Sequence, residues 1–176
     1  MKNLLIISLA TFLFVAVSCN NQTTEVLPDT QEQQVVEFRD FGPEVFVFDI
    51  EEYTLQNENF RIALWTGTHM QLTLMSLLPG EEIGLEAHSN LDQFIRVESG
   101  KGVVVMGDTK DELSFEAQLE DDFALFIPAG KWHNIYNTGN EPLKLYSIYA
   151  PLEHPHSTIH KTYQEALEDA HHHHHD

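Results

Sequence analysis

Three side chains with metal-binding or acid–base chemistry lie close together in the stretch 79–100. Glu86 and His88 are two residues apart, so on a β-strand both point to the same face. Gln93 follows after a turn that is short enough to place it beside His88. Because the chain has a single cysteine, a thiolate cluster is excluded, and a metal ion would have to be held by His, Asp, Glu or Gln.

The side-chain alternation of the stretch 93–98 decides which polar residue faces inward. If Gln93 points inward, the apolar Ile95 and Val97 do so as well. The opposite register, with Asp92 inward, would bury two charged side chains of the strand at a cost of several kcal/mol. The alternation therefore predicts that Gln93 faces inward and that the charged side chains face water.

Short β-like segments separated by glycine and proline turns make up most of the chain. The predicted strands are 44–50, 60–65, 69–78, 82–88, 93–98, 102–106, 113–118, 123–127, 132–136 and 143–149. No strand–helix–strand alternation interrupts them, and one short helix is predicted at 161–170. This pattern is typical of an all-β antiparallel sandwich or barrel.

The acidic composition limits the kinds of partner. The formal net charge is -19, from 28 acidic and 9 basic residues. Phosphate binding needs clustered Lys and Arg, so nucleic acid is excluded as a partner, and electrostatic docking on anionic lipid is disfavoured. The expected partner is a small molecule, and the acidity is expected to give a soluble, self-repelling surface.

The N-terminus is typical of an export signal. Residues 4–17 are apolar, but they are too few and too close to the terminus for an ordinary membrane span. The run ends Ala-Val-Ser-Cys, which resembles a bacterial lipoprotein signal with Ala16 in place of the usual Leu, Val or Ile. The resemblance implies cleavage before Cys19, lipid attachment to Cys19, and a membrane-anchored lipoprotein of the cell envelope. An ordinary secreted protein is the alternative.

Replacement of Cys19 by serine tests the lipid anchor. We expect the unchanged chain to incorporate labelled palmitate in a bacterial host and Cys19→Ser to incorporate none, because the chain has no other thiol. Ser18→Ala, next to the cleavage site, is the matched control and should still be labelled. Palmitate on the Cys19→Ser chain would rule out the lipoprotein interpretation.

The chain is expected to divide into four parts. They are a signal peptide at 1–18, a polar tether at 19–43, a barrel at 44–152, and a C-terminal arm with a short helix and a histidine tract at 153–176. The five terminal histidines are either a tag remnant or a native, weak surface metal site. Small barrels often pair through edge strands, and 44–50 is the candidate edge for a homodimer.

Two motifs resemble those of the cupin superfamily. The first is a Gly followed by His-x-His, a Glu four or five residues on, and a closing Gly, and the stretch 80–100 is similar to it. The second is Pro-x-Gly-x-x-His-x-x-x-Asn, matched by Pro128, Gly130, His133 and Asn137. The resemblance covers 45–151 and implies a double-stranded β-helix, the jelly-roll barrel of a small, single-domain bacterial cupin.

The same resemblance implies a metal site with two departures from the family pattern. Glu86 stands where the family has its first His, and Gln93 stands where it has its Glu. The implied ligands are Glu86, His88, Gln93 and His133, with Gln93 either a weak neutral donor or the holder of a metal-bound water. Such a set suits a divalent Fe, Mn, Zn or Ni ion. The alternative is a barrel without metal, whose polar cluster is hydrogen-bonded internally.

The arm at 152–162 leaves two interpretations open. It contains three histidines, His154, His156 and His160. Its prolines indicate an extended segment. Either it crosses the barrel mouth and adds a ligand or an acid–base group, or it is a solvated or packed tail, which is the expected form because no predicted strand or helix fixes the histidines. Arg61 and Lys144 could hold an anionic substrate, although a charge on a strand surface is the expected role of each.

Two functions of different class remain. One is a metal-dependent enzyme acting on a small molecule, for which the resemblance implies dioxygenase, isomerase or decarboxylase chemistry. The other is a non-catalytic module that binds or senses a sugar or phenolic compound at the cell envelope. A fold does not choose between them.

Overall fold

Nine β-strands and two helices lie within residues 36–173, the part of the chain that the computed structural model describes. Side chains are described as far as Asp169. The predicted signal at 1–18, the predicted lipid-attachment residue Cys19, most of the tether and the side chains of the histidine tract lie outside this description. Neither helix of the described part is long and apolar enough to cross a lipid bilayer.

The strands form two antiparallel sheets. In chain order the elements are α1 (Ile50–Gln56), β1 (Arg61–Thr66), β2 (Gln71–Leu77), β3 (Asp92–Ser99), β4 (Lys101–Gly107), β5 (Phe115–Glu120), β6 (Ala124–Ile127), β7 (Trp132–Asn137), β8 (Leu143–Ala150), β9 (Ile159–His160) and α2 (Tyr163–His173). The larger sheet has the order β6-β3-β8-β2-β1-β9, and the smaller one β5-β4-β7. This is the predicted all-β jelly roll with a short C-terminal helix.

Alternate residues of the central strands fill the space between the sheets. In β3, Gln93, Ile95 and Val97 are 3%, 1% and 0% exposed, so the predicted parity is confirmed. Other strands add apolar side chains to this core, among them Met75, Leu77, Val104, Ile135, Leu143 and Leu145. Each large aliphatic side chain buried here contributes about 1.5–3 kcal/mol.

The outer face of the larger sheet is buried under the segment that precedes β1. The segment supplies aromatic side chains, Phe38, Phe41, Phe46, Phe48 and Tyr53, and the sheet supplies Ile62, Leu64, Leu72, Leu74 and Tyr146. Asp40 attaches the segment to β1, since its carboxylate accepts hydrogen bonds from the backbone N–H and hydroxyl of Thr66, at 2.9 and 2.6 Å. Residues 36–43, which we expected in the tether, therefore belong to the folded domain.

Residues 44–50, predicted as an edge strand, form no strand. Exposed and buried side chains do alternate along them: Val45 and Val47 are 95% and 91% exposed, while Phe46 and Phe48 pack on the sheet. Asp49 then caps α1 by accepting a hydrogen bond from a backbone N–H three residues on, at 3.1 Å. The strand prediction is wrong, and the proposed dimer edge loses its basis.

Two further expectations differ from the structure. The stretch 82–88 forms only isolated bridges, one of them between Glu86 and His133, because Gly84 has a φ of +96° that breaks the extended backbone. Glu98 was expected to face water, but its side chain is only 4% exposed and lies 3.1 Å from Arg96 Nε. Helix α1 contacts β3, which explains this burial.

Candidate metal centre

Backbone hydrogen bonds bring the two sequence motifs together. The N–H of Glu86 donates to the carbonyl oxygen of His133 at 3.0 Å, and the N–H of His133 donates to that of Glu86 at 2.9 Å. Gly130, with a φ of +81°, donates its N–H to the carbonyl oxygen of His88 at 2.7 Å. Residues 86–88 are thereby held against the beginning of β7.

The side chains of Glu86, His88 and His133 converge on one point. Glu86 Oε1 lies 3.4 Å from His88 Nε2 and 3.5 Å from His133 Nε2. One ligand atom of each residue lies within 4.8 Å of the other two. Ligands at about 2.1 Å from an ion in a tetrahedron are about 3.4 Å apart. The cluster is therefore able to hold a divalent metal ion.

Each of the four predicted ligands has a buried atom without a hydrogen-bond partner among the described residues. These atoms are Glu86 Oε1, His88 Nε2, Gln93 Oε1 and His133 Nε2. Leaving a buried polar group unpaired costs about 1–3 kcal/mol. A bound ion would remove that cost at the imidazole and carboxylate atoms, and their chemistry suits Fe, Mn, Zn or Ni. The internal hydrogen bonds that the alternative, a barrel without metal, would need are incomplete at these four atoms in residues 36–169.

Each histidine is oriented through its second ring nitrogen. His133 is fully buried, and its Nδ1 lies 3.0 Å from the carbonyl oxygen of Lys131, so a proton on Nδ1 is donated there and Nε2 keeps its lone pair. His88 Nδ1 lies 3.4 Å from a carboxylate oxygen of Glu153. A carbonyl or carboxylate behind a ligating histidine is the usual arrangement at metal sites.

Charge in the cluster shifts two pKa values in opposite directions. Burial by itself would raise the pKa of Glu86, but the neighbouring His133 and His88 outweigh it and hold that pKa well below its ordinary value. Burial would lower the pKa of His88, but Glu153 and Glu86 raise it to about 9. Without a metal ion, the cluster at neutral pH therefore contains a carboxylate and an imidazolium.

Gln93 lies on the inner wall of the barrel, as predicted. Its amide nitrogen donates to Ser147 Oγ at 2.9 Å, which leaves Oε1 as the free acceptor. It pairs in register with Tyr149, whose ring centroid is 5.8 Å from that of His88. These contacts orient Gln93, and its role as a fourth ligand stays a prediction.

The C-terminal arm is held against the barrel by Gln71, a fully buried residue of β2. Gln71 Oε1 accepts a hydrogen bond from the backbone N–H of His154, and Nε2 donates to the carbonyl oxygen of the same residue, both at 2.9 Å. Of the two forms of tail that were expected, solvated or packed, this part of the arm is packed. The pair of hydrogen bonds places Glu153 and His154 at the cavity beside the cluster.

That cavity has a volume of about 570 Å³, and its lining includes Arg61, Glu86, His88, Trp132, Glu153 and His154. Burial lowers the pKa of His154 to about 3, so its imidazole is neutral. His160 also lines the cavity and lies 3.1 Å from a carboxylate oxygen of Asp169. His156 instead lies 3.4 Å from Asp40, at the N-terminal segment.

Arg61 is not the strand-surface charge that we expected, since it is 7% exposed and lines the cavity. The alternation of β1 does not predict this by itself, because it separates Arg61 from Ile62 and Leu64 without showing which face of the strand is the inner one. Ile62 and Leu64 pack in the hydrophobic cluster on the outer face of the larger sheet, which we call the outer cluster. Successive side chains of a strand point to opposite faces, so Arg61 faces inward. Lys144 lies elsewhere, where its ammonium group donates to the carbonyl oxygen of Asn57. No sequence signal marks Glu153 either.

Asn137, the last residue of the second motif, has a structural role. It is 3% exposed, and its amide nitrogen donates to the carbonyl oxygens of Leu77 and Glu141, at 2.8 and 2.9 Å. Its side-chain oxygen accepts from the N–H of Gly139 at 2.9 Å. The residue therefore joins β7 to β2 and to the turn before β8.

The chain is similar to known proteins over most of the described part. Residues 73–149 match the Cupin domain family. The uncharacterized protein YrkC of Bacillus subtilis (strain 168) is 54% identical over 141 residues, which are 80% of this chain and 76% of the relative. The uncharacterized protein L612 of Acanthamoeba polyphaga mimivirus is 42% identical over 113 residues, 64% of this chain and 69% of the relative.

Solved structures agree with the family match. A crystal structure from Bacillus halodurans has 58% sequence identity and a TM-score of 0.73, and the alignment covers 74% of this chain and 98% of that one. A second, from Thermus thermophilus, has 27% identity and a TM-score of 0.52, covering 61% and 98%. The names of these relatives describe no activity.

Proposed function

Since this chain belongs to the cupin superfamily, we propose that its Glu86–His88–His133 cluster binds one divalent metal ion and acts with it on a small molecule as a metal-dependent oxidoreductase or isomerase. The observation that carries the proposal is the convergence of three buried ligand atoms that lack a hydrogen-bond partner, one from each residue of the cluster, within the described chain. Gln93 is proposed as the fourth ligand or as the holder of a bound water.

The chain's own residues have separate tasks in this proposal. Two imidazole nitrogens and one carboxylate hold the ion, which when bound supplies Lewis-acid or redox chemistry. Glu153 orients His88, and the carbonyl oxygen of Lys131 orients His133. The cavity of about 570 Å³ has the size of a small-molecule site. The arm that Gln71 holds in place supplies part of its wall.

A second candidate is a binding or sensing module for a sugar or phenolic compound at the cell envelope. The altered ligand set favours it, because Glu86 replaces an imidazole of the family pattern. The export-type N-terminus also favours it, because a tethered module would present its cavity at a membrane. In this case the ion would position a ligand without turnover.

Metal content tests the proposal in a full-length chain whose five terminal histidines are replaced by alanine. We expect about one equivalent of bound metal after growth with Fe, Mn, Ni and Zn, since the cluster offers a single set of three ligands. Elemental analysis by mass spectrometry measures it. Less than about a tenth of an equivalent would overturn the metal site.

Turnover separates the two candidate functions. The metal-loaded protein would be incubated with a panel of phenolic and keto acids while oxygen consumption and products are followed. Substrate conversion supports the enzyme, and tight binding without conversion supports the binding module.

A further inference from the structure

We propose that Arg61 is the anion-binding residue of the cavity and that the small molecule bound there carries a carboxylate. This inference rests on the proposed function, because it names the substrate class of the same site. It comes from the position of one buried guanidinium in an otherwise acidic chain.

Arg61 is held inside the domain by its strand. It pairs in register with Met75 of β2 on one side and His160 of β9 on the other. Because side chains alternate along β1, Arg61 points away from the outer cluster, in which Ile62 packs, and lines the cavity together with Glu86 and His88. The arginine is 7% exposed.

The guanidinium has no ion-pair partner within 4.0 Å among the side chains described between residues 36 and 169. Its Nε is also buried there without a hydrogen-bond partner. The ring of Phe60 lies beside it, with its centroid 5.6 Å from Arg61 Cζ. Glu86 and Glu153 line the same cavity and offset part of the charge of Arg61, but neither lies within 4.0 Å of the guanidinium. A bound anion is the simplest group to compensate it.

The surrounding charges favour a carboxylate over a phosphate. Glu86, Glu153 and Asp169 line the same cavity and would repel a dianion. A divalent ion held by the cluster and Arg61 would together supply three positive charges against these three carboxylates, so a singly charged carboxylate is accommodated at a smaller electrostatic cost than a dianion. The planar fork of a guanidinium also suits the two oxygens of a carboxylate.

The test compares 2-hydroxybenzoate with its uncharged isostere 2-hydroxybenzamide by isothermal titration calorimetry. The protein is the full-length chain with the terminal histidines replaced by alanine, loaded with Mn. We expect the acid to bind about tenfold or more tightly than the amide, because a hydrogen bond between charged groups is about twice as strong as one between neutral groups. Arg61→Met should remove this preference and leave amide binding unchanged.

Two further variants separate ligand binding from folding. Arg61→Lys keeps the charge and should restore part of the preference, whereas Arg39→Met changes an exposed arginine outside the cavity and should leave it intact. Circular dichroism checks that each variant is folded. If Arg61→Met fails to fold, Arg61→Lys still decides the matter, because an undiminished preference without the guanidinium fork would contradict the assignment.

Three outcomes would overturn the proposal. They are equal affinity for acid and amide in the unchanged protein, an undiminished preference in Arg61→Met, and tighter binding of inorganic phosphate than of 2-hydroxybenzoate through Arg61. The same titrations in EDTA distinguish this inference from the metal proposal. An Arg61-dependent preference in a protein that binds no metal would support the anion site alone.

Discussion

Replacement of Glu86 by glutamine is expected to lower metal affinity by more than about 100-fold. Changing a residue that only hydrogen-bonds to a metal ligand already lowers metal affinity by about 10–100-fold. The change removes the one carboxylate of the cluster and keeps the shape of the side chain. His133→Ala should have an effect of the same size, because it removes an imidazole whose Nε2 lies 3.5 Å from Glu86 Oε1. Titration with Zn or Mn in a chain without the terminal histidines measures both.

Glu116→Gln is the matched control for these variants. Glu116 is exposed on β5, so the same chemical change there should leave metal affinity unaltered. Both site variants should keep the circular dichroism spectrum of the fold. Full metal content in Glu86→Gln and in His133→Ala would show that the ligand assignment is wrong.

Metal affinity is also expected to rise about tenfold for each pH unit between pH 7 and 9 and then to level off. His88 has its pKa raised to about 9 in the metal-free protein, so it is an imidazolium at neutral pH. Only the neutral imidazole can bind a metal, and each ion bound must therefore displace one proton. Glu86 adds nothing to this dependence, because its carboxyl group is already ionised.

Calorimetry in buffers of different ionisation enthalpy measures the protons released. About one proton per ion is expected at pH 7. Release of no proton, together with an affinity that does not change from pH 7 to 9, would contradict the assignment of His88 as a ligand.

The stability of the metal-free fold should show the opposite trend. The folded-state pKa of His88 lies above its ordinary value of 6.5, so its charge stabilises the fold fully below pH 6.5. That stabilisation is lost as the pH rises through about 9. The melting temperature of the EDTA-treated protein should therefore fall between pH 6.5 and 9, and saturating metal should offset the fall.

Local patterns were sufficient for much of the fold. The strand of Gln93 was predicted correctly, because an alternation of period two shows which side chains are buried. Gly130 marks a turn whose backbone requires a positive φ, which glycine adopts readily. The same reasoning failed for 44–50, where alternation arises from packing on a sheet face rather than from strand pairing. It also failed for 82–88, where Gly84 breaks the extended backbone.

Two motifs in the amino-acid sequence were enough to indicate, through their resemblance to the cupin pattern, the family, the jelly roll and the candidate ligands Glu86, His88, Gln93 and His133. Period-two alternation by itself predicted only the strands and the inward position of Gln93. Only the tertiary structure placed Glu153 behind His88 and Arg61 inside the cavity. Glu153 belongs to a segment 65 positions along the chain from His88, and a buried glutamine of another strand holds that segment in place. Contacts between distant segments depend on packing and charge across the whole domain, which no local pattern records.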